Sequence, residues 1–285
     1  MTTLTSGGSR PTPRTSRSAS ADPFVLTLWT ADLGVAAAAD ASGVHRIGVD
    51  LEHLGKAERQ AGRSTWLSPH SLDELRSVGG VLDRARLFVR INPLHAGTRD
   101  EIESVLACGA AVVMAPMVAS AAQAADFTGL VARRARTVVL IETRAGVDSL
   151  PAIAAVPDLD EIHIGLNDLS LSLELPNRWS VLAGDHMKDA ATCAHAAGRS
   201  FGFGGIGCVH DNRLPIPSDL IYAEYARTGA TRALLARSFD LSPVTLGANV
   251  AAALTRLAEW RAAGPATLDA AHAELGRRVR LSGTW

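Results

Sequence analysis

Several ionisable side chains stand at or just after the ends of short apolar runs: Asp50, Glu52, His53, Arg90, Glu142, Asp168 and Arg237. Side chains of these types can hold a cation, neutralise a developing anion or move a proton. Glu142 closes the run TVVLIE, and Asp168 follows EIHIGL by two residues. A buried carboxylate without a partner is costly. If the two runs are neighbouring strands, the carboxylates repel, and one stays protonated unless a cation intervenes. Mg²⁺ is commonly held by one or two carboxylates plus waters and substrate oxygens, which matches this pair. Zinc does not suit it, because no Cys or His is placed with the acids. Singly, each acid has a plainer use: Asp168 could cap the helix after Leu169, and either could serve a salt bridge.

Arg90 is the natural counterion, since a planar guanidinium grips a carboxylate or enolate oxygen through two parallel N–H groups. A structural arginine that only neutralises acids nearby is the alternative. Asp50 and Glu52, two residues apart, share one face of a strand, with His53 next. His53 has the chemistry of a general base near neutral pH, or else is a loop histidine in a polar region. GFGGIG (202–207) matches GxGxxG in form, but CVHDNRLPIP follows it rather than a helix, so a dinucleotide site is rejected. Its glycines, Gly205 among them, instead let backbone approach a ligand or another strand.

The elements that must position these residues are eight apolar runs: 24–29, 45–51, 86–91, 111–117, 137–142, 161–166, 200–206 and 232–239. Helix-like segments separate them. Ser71 with Glu74, and Thr98 with Glu101, have capping-box spacing, and Gly109 follows the second of these helices. Strands alternating with helices imply a parallel sheet, and eight of them imply an α/β fold of the closed (β/α)₈ TIM-barrel type, with an open doubly wound sheet as runner-up. In a barrel the strand ends gather at one rim. A surplus helical segment, TLDAAHAELGRRVR, is expected to pack on a neighbouring subunit.

The chain has 285 residues, 47% hydrophobic, and a net charge of −1, which argues against a general electrostatic grip on nucleic acid or membrane. No apolar run reaches the length of a membrane span. Three cysteines without a CxxC pair fit a reduced, cytoplasmic protein. Residues 1–22, rich in Ser, Thr, Arg and Pro, read as a disordered tail, and residues 23–285 as a single barrel domain.

LFVRINPL, AVVMAPMV, VVLIETRAGV and EIHIGLNDLS, in this order and with VDLEH before them, resemble the HpcH/HpaI aldolase and citrate lyase β-subunit superfamily. The resemblance implies a (β/α)₈ barrel, usually a homo-oligomer (trimer or hexamer), with a C-terminal helix exchangeable between subunits. It implies carbon–carbon bond chemistry on a keto or hydroxy acid through a pyruvate-like enolate held on a divalent metal. Glu142 and Asp168 would then be the Mg²⁺ or Mn²⁺ ligands, and Arg90 would hold the enolate oxygen. His53 with Asp50 would serve proton transfer. Gly165, Asn167 and Gly205 would offer backbone to the substrate. Asp50-Leu-Glu-His and Pro116-Met-Val lean towards the pyruvate-aldolase branch, whereas RINPL resembles the citrate-lyase branch.

A Schiff-base mechanism needs a lysine in the mouth. The chain has only Lys56, in the loop after the second run, and Lys188, in the helix before the seventh. The alternatives are an acyl-CoA lyase of the citryl- or malyl-CoA type, and a barrel kept without turnover.

Overall fold

The structure, a computed structural model, describes residues 23–55, 70–209, 211 and 215–283. The expected tail at 1–22 and Lys56 lie outside the described residues. Eight parallel strands close in sequence order: β1 (Val25–Trp29), β2 (Arg46–Asp50), β3 (Arg86–Arg90), β4 (Val112–Ala115), β5 (Arg136–Ile141), β6 (Glu161–Ile164), β7 (Ser200–Ile206) and β8 (Arg232–Leu235), which pairs back to β1. Around them, among the described residues, run α1 (Leu33–Ala41), α2 (Leu72–Gly79), α3 (Thr98–Ala107), α4 (Ala121–Val131), α5 (Arg144–Asp148), α6 (Leu150–Ala154), α7 (Leu166–Ser172), α8 (Arg178–Ala183), α9 (Asp185–Ala196), α10 (Ser218–Thr228), α11 (Leu246–Ala262) and α12 (Pro265–Leu281). This is the closed (β/α)₈ barrel with an extra C-terminal helix, not the open sheet. No described helix is long and apolar enough to cross a membrane.

The strands are short and rich in β-branched residues because both of their faces are covered. Ile47, Val49, Val89, Val139 and Ile141 face the helices in one large core. The alternate residues Phe88, Val112, Met114, Val138 and Leu140 form a second cluster, against which Trp29 packs. Buried tyrosines pin α10 to β7: the Tyr225 hydroxyl donates to Phe203 O at 2.6 Å and the Tyr222 hydroxyl to Gly207 O at 2.7 Å.

The capping box at Ser71 and Glu74 forms. The one expected at Thr98 and Glu101 does not, because Gly97 is the N-cap and Thr98 the first helical residue. Glu101 Oε1 instead accepts from Asn92 N at 3.0 Å and Asn92 Nδ2 at 2.8 Å. Asn92 is buried, and buried amide donors need an acceptor. Gly109 does end its helix, at φ +88. Helix α12 packs on α10 and α8 of its own chain, burying Ala271, Leu275 and Val279.

The N-terminal end of the barrel is closed by charge. Glu161, fully buried, accepts from Arg46 Nη1 and Nη2 at 2.7 and 2.6 Å, and from Arg136 Nε and Arg232 Nε, both at 3.2 Å. Burial opposes its charge, but the guanidiniums of Arg46 and Arg232 hold the carboxyl well below its ordinary range. A depressed carboxylate stabilises the fold above its unfolded pKa, and that contribution is lost only as pH falls through the folded value. Glu161→Gln strands the buried guanidiniums and should cost about 3–5 kcal/mol. A shift in the urea midpoint measures this, and an unshifted midpoint would show that the arginines re-solvate without loss.

Candidate active site at the barrel rim

The β5–β6 register pairs Ile141 with Ile164, which carries Glu142 to the side of Gly165. The approach is very close: a Cβ built on Gly165 would lie 2.5 Å from Glu142 Oε2. Gly165 has φ −89, an ordinary value, so the reason for glycine here is space rather than backbone conformation. On the other oxygen, Met117 N donates to Glu142 Oε1 at 2.9 Å. Met117 adopts φ 57, a strained value for a non-glycine residue, in the turn that presents this N–H. Burial pushes the Glu142 carboxyl up to about 8; Arg90 and the Met117 N–H oppose the rise, and Asp168 and Glu52 add to it.

Asp168 is not the N-cap of α7; Gly165 is, and Asp168 lies in the first turn. Its Oδ1 is buried and has no hydrogen-bond partner. An orphaned carboxylate oxygen next to a second carboxylate held protonated by burial is the environment that a hard cation relieves. The donors are oxygens only, as suits Mg²⁺ or Mn²⁺. Among the described residues no group of three or more His, Cys, Asp and Glu could hold a metal, so these two acids would need waters and substrate oxygens to complete a shell.

Arg90 lies across the β2–β3 pair from Asp50, its register partner. Its Nε and Nη2 donate to Asp50 Oδ1 and Oδ2 at 2.8 and 2.6 Å, and Nη2 meets Glu52 Oε2 at 3.1 Å. The guanidinium lies 6.0 Å from the centre of the Trp29 ring. Burial works against its charge, while Asp50, Glu52 and Glu142 raise its pKa above the ordinary value. So Asp50 is engaged in orienting Arg90, and the two acids on one strand face share that one cation.

The loop after β2 is tied down by Asn92, whose Oδ1 accepts from His53 N at 2.9 Å and Leu54 N at 3.0 Å. His53 is exposed, and its Nδ1 lies 3.0 Å from Leu51 O. A carbonyl only accepts, so neutral His53 carries its proton on Nδ1 and leaves Nε2 as a base. His70, which the sequence reading passed over, has the opposite tautomer. Its Nδ1 accepts from Asp50 N at 3.1 Å, which puts the proton on Nε2. Glu52, Trp29 and Asn92 were also outside the predicted site. Period-two spacing pointed to Glu52; nothing in the sequence marked Trp29 or His70. Asn167 is exposed in the first turn of α7, and Gly205 lies in β7 at φ +120, so the structure brings neither against Glu142 as closely as it brings Gly165.

A family model described as HpcH/HpaI aldolase/citrate lyase matches residues 28–213. No curated protein matches the chain. Among solved structures, the HpcH/HpaI aldolase from Desulfitobacterium hafniense DCB-2 superposes with a TM-score of 0.60 at 17% identity, over 79% of this chain and 89% of that one. An HpcH/HpaI aldolase/citrate lyase family protein from Burkholderia cenocepacia J2315 gives 0.60 at 17%, over 84% and 95%. Protein CitE from Mycobacterium tuberculosis, in complex with magnesium and acetate, gives 0.59 at 19%, over 90% and 97%. At these identities the likeness is one of fold.

The raised Glu142 carboxyl has a signed consequence. Unfolded, it ionises near 4.5; folded, at about 8. Between those values the folded state binds the extra proton, so metal-free stability falls as pH rises through this window and levels off above it. Thermal unfolding with EDTA, from pH 5 to pH 9, should show that fall in the parent protein and a flatter curve in Glu142→Gln. Equal slopes would place the proton elsewhere.

Proposed function

The chain belongs to the HpcH/HpaI aldolase/citrate lyase family, and from that premise we propose that it is a divalent-metal-dependent carbon–carbon lyase of the class II aldolase type. Its substrate would be a 2-keto acid or hydroxy acid that is cleaved, or formed, through a pyruvate-like enolate. The observation that carries this reading is the orphaned Asp168 Oδ1 beside the buried, charge-averse Glu142. Mg²⁺ or Mn²⁺ held by these two acids would act as a Lewis acid towards the keto acid, worth several kcal/mol of charge stabilisation.

The chain's own groups supply the rest. Arg90, fixed by two bonds to Asp50, donates to the oxygen on which negative charge develops. Because Asp50 and Glu52 already share its charge, Arg90 works through directed N–H groups more than as a bare cation. Asp50 is therefore a positioning residue in this reading. His53 Nε2 takes the proton of the cleaved hydroxyl, directly or through water, a role worth about 10²–10⁴ in rate. His70, whose Nδ1 accepts from Asp50 N, would offer its Nε2–H as a complementary donor in this reading.

The reading is tested by Mg²⁺- or Mn²⁺-dependent pyruvate release over a panel of 4-hydroxy-2-keto acids, with oxaloacetate decarboxylation as a proxy. EDTA should abolish activity, and free CoA should compete less well than oxalate. Activity that survives EDTA, together with a borohydride-trapped substrate adduct, would overturn it. Glu142→Gln should abolish turnover in a folded protein. Gly165→Ala, whose methyl would press on Glu142 Oε2, should lower Mn²⁺ affinity at least about tenfold by calorimetry, on the scale of a lost charged contact. Unchanged Mn²⁺ affinity in both variants would sink the ligand assignment.

A further inference from the structure

The loop after β2 holds two neighbouring residues in one clamp. Asn92 Oδ1 accepts from both His53 N and Leu54 N, at 2.9 and 3.0 Å. Asn92 is itself buried, and its own N and Nδ2 donate to Glu101 Oε1 at 3.0 and 2.8 Å. A buried amide with these bonds made is held in one orientation. The backbone of Leu54 is therefore set as firmly as that of His53. This bears on the substrate. In the cleavage direction the C3–C4 bond breaks and its electron pair passes to the enolate. The hydroxyl on C4 becomes the aldehyde carbonyl as its proton moves to His53 Nε2. The group carried by C4 leaves with that aldehyde, so it stands beside the neighbours of His53. Of these, Glu52 is buried and turned to Arg90 at 3.1 Å, whereas Leu54 is 40% exposed.

Leu54 is not isolated. Among the described residues the exposed large hydrophobic side chains are Leu33, Leu54, Leu72, Val244 and Leu281. Leu281 ends α12. The other four lie on the connections after β1, β2 and β8, or are the first residue of the helix that such a connection opens. Those three strands are neighbours in the closed barrel, so these four residues share one sector of its C-terminal face. Exposed apolar side chains gathered in one place, rather than scattered singly, mark a binding surface. Acids of the same connections are committed to local bonds. Asp32 Oδ1 caps α1 through Val35 N at 2.9 Å, and Asp240 accepts from Ser242 N at 3.0 Å and Thr245 Oγ1 at 2.7 Å. Trp29, half-buried at the end of β1, joins the sector to the reaction centre, with its ring centre 6.0 Å from the Arg90 guanidinium. Arg237, after β8, is an exposed cation of the sector, which makes an anionic group the rival occupant.

We infer that Leu54, with Leu33 and Val244 on the next two connections, forms the surface that selects the aldehyde portion of the substrate, and that this portion carries an apolar group on the carbon bearing the hydroxyl. The substrate class is then a 4-hydroxy-2-keto acid with a hydrocarbon tail, rather than one with a polyhydroxylated or charged tail. The inference rests on the lyase reading and names the half of the substrate that the keto-acid end leaves open. Its energetic basis is the removal of tail methylenes from water against these side chains.

Two measurements on the full chain keep this inference and the lyase reading apart. Exchange of the pyruvate methyl protons in deuterated water, with Mn²⁺ and no aldehyde, reports enolate formation alone. Aldol addition of pyruvate to acetaldehyde, butanal and hexanal reports the aldehyde surface, with glycolaldehyde and succinate semialdehyde as the neutral polar and anionic comparisons. kcat/KM should rise along the alkyl series by up to about fourfold per methylene, the worth of a buried CH₂. Hexanal should exceed both comparisons. Leu54→Ser should flatten the rise, chiefly through KM; Leu54→Met should restore it, and Leu281→Ser should leave it as in the parent. A flat alkyl series or a preference for glycolaldehyde or succinate semialdehyde overturns the inference, and the parent series needs no variant to show either. An unchanged slope in Leu54→Ser also overturns it, and if the oligomeric state shifts at the same time the surface belongs to a contact with a second copy. Exchange without an alkyl preference leaves the lyase reading standing, whereas absent exchange removes both.

Discussion

Glu142 presses its carboxylate against the bare α-carbon of Gly165, out of water and beside a second acid, and the rim is organised around the cost of that placement. Any side chain at position 165 would strike Oε2. One oxygen is satisfied by an N–H presented from a strained Met117. Coulomb attraction from Arg90 opposes the rise in its pKa but does not cancel it, because burial outweighs that attraction and Asp168 and Glu52 add to the rise. The carboxylate is therefore left in want of positive charge, and Asp168 Oδ1 shares the want. A site that a cation would complete is one in which the protein has withheld its own.

The same residue type has the opposite fate at the other end of the barrel. Glu161 is as deeply buried as Glu142, yet its pKa falls where that of Glu142 rises. The difference lies in the neighbours: three arginines surround Glu161, whereas acids crowd Glu142. Desolvation is common to both, and the sign of the local charge decides the outcome. One end of the barrel is locked by a satisfied ion cluster; the other is kept electrostatically open, as chemistry at the C-terminal face requires.

Much of this was legible in the residue order. Period two placed Asp50 and Glu52 on one face, and they meet one arginine. The eight runs, their alternation with helices and the end of α3 at Gly109 all followed from hydrophobic pattern and the conformational freedom of glycine. The capping box at Thr98 failed because Glu101 had a better use. A buried Asn92, which ties the β2 loop to β3, drew the carboxylate away from the helix start. Local spacing cannot register a competitor that arrives from the end of a preceding strand. His70 was missed for a related reason: its contact with Asp50 spans 20 residues, and no motif joins them.

By itself, then, the sequence determined the strand count, the parallel alternating architecture, the strand ends that carry charge and the family to which VLIETRAGV and HIGLNDLS point. These depend on local periodicity and on residue types that a short stretch can express. Tertiary structure alone decided which charges are spent and which are left wanting. Arg90 became an oriented donor engaged by Asp50, Gly165 became the space that admits Glu142, and Asp168 became an acid with an orphaned oxygen rather than a helix cap. Burial and pairing are set by what lies across the barrel, and that geometry exists only once the sheet has closed.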